Sequence, residues 1–121
     1  MWGGSATSPW DLGSQTQPFH PSVADQNKTG SPSLGLLEIP NNGADAYGYS
    51  GEQMLARFRD NFAGEPLAQE KVVTFISHPE WQRTDEPKMD EVLGATDQLL
   101  YTQGQGPVIY VTSGQVYAAW K

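Results

Sequence analysis

Two short runs, Val72-Val73-Thr74-Phe75-Ile76 and Val108-Ile109-Tyr110-Val111, are apolar or β-branched at successive positions instead of alternating ones. A strand of that kind has no face to offer water, so it belongs in a parallel sheet covered on both sides. A third run, Leu34 to Ile39, stops at Pro40 and an Asn41-Asn42-Gly43 turn. Each run is followed by an amphipathic segment. Ser50-Gly51-Glu52-Gln53 is a capping box that opens a helix with Met54, Leu55, Phe58 and Phe62 on one stripe. A second helix is expected from about Asp85, with Glu86 and Pro87 in its first turn, to Gly104. Met89, Val92, Leu93, Leu99 and Leu100 would face inward, and Gly94 would weaken its middle by about 1 kcal/mol. Thr112-Ser113-Gly114-Gln115 is another capping box, for a last helix through Trp120. This rhythm predicts an α/β fold of parallel-sheet β-α units. It also leaves a problem, because three helices cover one face of such a sheet and nothing obvious covers the other.

Composition removes several function classes. The 121 residues carry fourteen Asp and Glu against seven Lys and Arg, a formal charge of −7, and the bases are scattered. A phosphate-binding surface needs the opposite, so nucleic acid is not an expected partner. The longest apolar run is far short of the roughly 18 residues that span a bilayer, so no membrane span is expected. With no cysteine, disulfides, thiolate metal sites and thiol nucleophiles are excluded. The start, Met1-Trp2-Gly3-Gly4-Ser5, has neither the basic residues nor the apolar stretch of a signal peptide.

The chain divides at about residue 34. Residues 1–33 form an irregular loop segment rich in Ser, Gly and Pro, while residues 34–121 carry the β-α units. Trp2, Trp10, Leu12 and Phe19 are more apolar than a plain linker requires, so the segment reads as a loop lying over something. Asn27-Lys28-Thr29 fits the N-glycosylation acceptor pattern, a tripeptide common by chance.

Chemistry concentrates at one point. Of the two histidines, His20 lies in coil and reads as structural or exposed, whereas His78 follows the Val72–Ser77 run, where α/β proteins place catalytic groups. A strand-terminal histidine bonded to a loop carbonyl is the competing reading. In Ser77-His78-Pro79-Glu80-Trp81 an imidazole, a carboxylate and an indole share one loop. Trp81 is placed to stack on a sugar ring or to close a helix interface. No histidine pair has metal-ligand spacing, and no phosphate loop or nucleophile elbow is present: Gly104-Gln105-Gly106 precedes a strand-like run, and Ser113 is explained by capping.

The segments Val72 to Pro79 and Pro107 to Val116, in that order, resemble the last two strands of polysaccharide (chitin) deacetylases, and Leu36 to Pro40 resembles an earlier strand of that family. The resemblance implies the C-terminal part of a distorted (β/α) barrel, belonging to a metal-dependent N-deacetylase of N-acetylglucosamine polymers. It implies His78 as the catalytic acid, Ile76 as lining of an acetyl pocket, and Trp81 as a substrate contact. It also implies zinc or a similar divalent metal in the complete family domain, a polysaccharide or chitin-like oligosaccharide as partner, the missing N-terminal half as a second partner, and an extracellular or cell-surface setting. The paired-aspartate and H-x-x-x-H motifs of the family are not in this sequence, so no metal ligand is expected in this chain and little activity of it alone. A non-catalytic carbohydrate-binding or interaction module of the same fold is the alternative.

Overall fold

A computed structural model describes residues 12–120; the expectations for Trp2 and Trp10 lie outside them. Among the described residues the regular elements are three α-helices, α1 (Gly51–Asn61), α2 (Gln82–Asp97) and α3 (Ser113–Ala119), with 3-10 turns at Pro79–Trp81 and Tyr101–Gln103. None of these described residues forms a β-strand. The α/β architecture expected from the three apolar runs, and the barrel implied by the resemblance, are therefore corrected: what forms among the described residues is a helical protein with long extended connections.

Two helices start where their side chains dictate. Ser50 accepts the Gln53 N–H while the Gln53 side chain accepts the Ser50 N–H, so two donors at the start of α1 are satisfied together. Thr112 and Gln115 repeat the arrangement at α3. The middle helix departs from expectation at both ends. It begins at Gln82, directly after the 3-10 turn, so Pro87 lies inside it instead of in its first turn. The ring removes one backbone donor there, but the helix continues to Asp97. It stops seven residues before Gly104, leaving Leu99 and Leu100 in the connection.

The core is small and sits between α1, α2 and the 44–49 loop: Ala44, Ala46, Tyr49, Met54, Leu55 and Val92, with Phe75, Met89 and Ala95 packed on its margin. Leu93, expected inward, is exposed. Arg57 lies over the Tyr49 ring, 4.7 Å from its centre, and donates to the Tyr49 hydroxyl and the Asn42 carbonyl, which ties the 42–49 loop to α1.

The run at 72–76 is extended but does not build a strand, and the residues facing it explain why. Its partner is the 42–46 loop, joined by Gly43 N–H to Thr74 O, Ile76 N–H to Ala44 O and Ala46 N–H to Ile76 O. Further up, the neighbour is a side chain instead of a backbone. The buried Asn42 amide donates to the Val72 carbonyl and accepts the Thr74 N–H, and Gln17 accepts the Val72 N–H. Ala44, at φ 84°, turns the loop out of the extended region, so pairing reduces to one parallel bridge, Asp45 with Ile76. Gly43 is required at this crossing, because a Cβ there would collide with the Thr74 carbonyl and the Phe75 ring. The Leu34–Ile39 run meets Phe19 through one antiparallel bridge at Glu38, and Val108 meets Leu100 through one parallel bridge. A ladder needs successive partners, and none of the three runs has them.

Candidate binding site around His78

The bridge between Asp45 and Ile76 places two loops side by side and sets the site. Asp45 heads a tight turn in which its carbonyl accepts the N–H groups of Gly48 and Tyr49, and its carboxylate accepts the Tyr47 N–H at 2.9 Å. Two residues beyond Ile76, His78 presents Nε2 to both Asp45 carboxylate oxygens, at 2.9 and 3.0 Å. The Asp45 side chain is 4% exposed and that of His78 19% exposed, so this ion pair closes the gap between the loops from inside. On its other edge His78 Nδ1 lies 3.8 Å from the exposed Glu80 carboxylate.

A second carboxylate orients the backbone. Buried Asp85, in the first turn of α2, accepts the His78 N–H at 2.9 Å and the Thr84 hydroxyl at 3.3 Å. The His78 carbonyl accepts the Trp81 N–H, which makes the 3-10 turn and carries the indole outward. The Lys88 ammonium donates to the Ala46 carbonyl and pins the turn to α2. The hydrogen bond that His78 donates to the Asp45 carboxylate raises the His78 pKa above the ordinary histidine value; partial burial opposes the shift, and the nearby charges of Asp45, Glu80 and Asp85 add to it.

Above the pair lies an aromatic corner. The Tyr47 ring is 6.3 Å from His78, edge-on, and 5.7 Å from the Trp81 ring, tilted by 55°. Tyr47 is 63% exposed and Trp81 49% exposed. Two large rings therefore face solvent beside a carboxylate, held on loops that buried polar contacts make rigid.

Of the residues singled out from sequence, His78 and Trp81 come together here. Ile76 enters through its main chain, which bonds Ala44 and Ala46 and sets the register of the two loops. His20 is the histidine that meets a loop carbonyl, with Nδ1 2.8 Å from Leu36 O. The expected readings of His78, a catalytic acid or a carbonyl-bonded histidine with Glu80 in the same loop, did not include a carboxylate partner from another segment. Asp45, Tyr47 and Asp85 were not singled out. Asp45 lies 33 positions from His78, and its one local signal is an acid set between two alanines ahead of a capping box.

Comparison with family models, with curated proteins and with solved structures finds no match to this chain. The resemblance to polysaccharide deacetylases is thus overturned, together with the functions attached to it. Among the described residues the strands of the barrel that family requires are absent, and no three His, Asp or Glu side chains are grouped so as to hold a metal ion. The hydrolase assignment, and the reading of the chain as a deacetylase portion or a carbohydrate-binding relative of that fold, are withdrawn with it.

Proposed function

We propose that the corner formed by Tyr47, Trp81 and Glu80 binds a saccharide. The observation that carries this reading is the pair of exposed rings, 5.7 Å apart, mounted on two loops that the Asp45–His78 pair holds together. A pyranose ring has an apolar C–H face and a rim of hydroxyls. The indole of Trp81 supplies a flat apolar surface for the first, and the Glu80 carboxylate accepts hydrogen bonds from the second. His78 acts here as a positioning residue: its Nε2 is committed to Asp45, and its backbone orients the turn that carries Trp81. Zinc has no part in this reading.

One observation favours a second ligand chemistry. Glu80 beside two aromatic rings, on a chain of charge −7, also suits a cationic group held by cation–π attraction. Titration of the whole chain followed by amide NMR separates the two, with chito-oligosaccharides and other neutral oligosaccharides in one arm and choline in the other. The saccharide reading predicts shifts at Tyr47, Glu80 and Trp81 with an oligosaccharide, unchanged by a metal chelator. Trp81→Ala is expected to weaken binding about tenfold or more. Shifts with choline alone select the cationic ligand, and equal binding by Trp81→Ala contradicts both.

A further inference from the structure

We infer that the Ile109–Val111 edge pairs with the same edge of a second copy of this chain. Val108 donates to the Leu99 carbonyl and accepts the Tyr101 N–H, so both of its main-chain groups face the 99–101 segment. No helix or turn intervenes between Val108 and Thr112, which is itself extended at φ −82°, ψ 158°. Alternation along an extended chain then turns the N–H and C=O of Ile109 and Val111 the opposite way, and those of Tyr110 back toward 99–101. Among the described residues the main chain of Ile109 and Val111 makes no hydrogen bond. Their side chains are 58% and 46% exposed. What stands open is therefore an edge of backbone donors and acceptors flanked by β-branched side chains, and the complement of such an edge is another extended backbone.

The charge distribution selects the occupant. A chain of charge −7 repels its own copies over most of its surface, but residues 98–120 contain no charged side chain. The open edge lies inside that neutral stretch of chain, and the adjoining Asp97 carboxylate is engaged by the Tyr110 hydroxyl on the α2 side, so two copies can meet edge to edge without setting charged side chains of the paired segments against each other. Antiparallel pairing about a two-fold axis at Tyr110 sets Ile109 opposite Val111 of the second copy and Val111 opposite its Ile109. Each of these pairs exchanges two hydrogen bonds, and the two Tyr110 residues form the unbonded pair between them. The Tyr110 ring is already fixed on the α2 side, where its hydroxyl is bonded to Thr96 and Asp97. The other edge of the segment is occupied at Val108, so the pairing closes at two copies.

Sedimentation equilibrium of the whole chain over a range of concentrations tests this, combined with amide exchange. Mass is expected to rise from 13.2 kDa toward twice that value, and the Ile109 and Val111 amides to gain protection in step. Ile109→Pro, which deletes one donor, and Val111→Lys, which adds a charge, should each weaken association about tenfold or more. Tyr117→Lys, an equally charged change on exposed α3, should leave it near the parent value. Circular dichroism confirms that each variant folds. A single-chain mass up to about millimolar concentration, association indifferent to Ile109→Pro, growth beyond two copies, or capture of an unrelated extended peptide by a chain that stays monomeric would each overturn the pairing.

Discussion

The runs 72–76 and 108–111 read almost identically as sequences and end in opposite situations. The first is fastened along one edge at three successive bonding positions: Gln17, Asn42, Gly43, Ala44 and Ala46 take up the main-chain groups of Val72, Thr74 and Ile76, while the run itself is half-buried and Phe75 packs against the core. The second is fastened at Val108, and by side chain at Tyr110, with the rest of its backbone edge open. An uninterrupted apolar run thus signals a demand for cover on both faces. It does not say whether the chain meets that demand internally, with side-chain amides in place of strands, or leaves it for another molecule.

The comparison breaks most sharply at Asn42. Asn42→Ala removes donors to Val72 O and Thr16 O and the acceptor for Thr74 N–H, leaving half-buried main-chain groups without their partner. A loss of about 3 kcal/mol is expected in a denaturant titration. A loss below about 0.5 kcal/mol would mean that the 72–76 run is held by burial alone.

A smaller effect distinguishes the end of that run from its middle. The Asp45 hydrogen bond raises the His78 pKa in the folded chain, so folding is favoured by protonation. The contribution is complete below the ordinary histidine value of about 6.5 and is lost as pH rises through the raised folded value. Stability measured against pH should therefore fall across that window in the parent and stay flat there in His78→Gln. A parent that gains stability over the same window would contradict the pair as drawn.

How much of this was legible follows from how local each signal is. The helices α1 and α3 were readable because Ser50 with Gln53 and Thr112 with Gln115 close their caps within four residues. The start of α2 was misplaced because Pro87 reads as a first-turn residue, whereas the true start follows a 3-10 turn organised by the His78 carbonyl. The strands were misread because pairing is decided by the neighbour, and here the neighbour is the Asn42 side chain and a loop turned aside at Ala44. His78 and Trp81 could be singled out from their own loop. Asp45 could not, since only the crossing of 42–46 with 72–76 brings it to His78.

Amide hydrogen exchange on the dilute, monomeric chain tests the central contrast most directly, because it reads both runs in one sample. The N–H groups of Val72, Thr74 and Ile76 should be protected close to the global unfolding limit, while those of Ile109 and Val111 exchange near the rate of an unstructured peptide. Equal protection of the two runs, or protection of Ile109 and Val111 that persists at every concentration, would contradict the account.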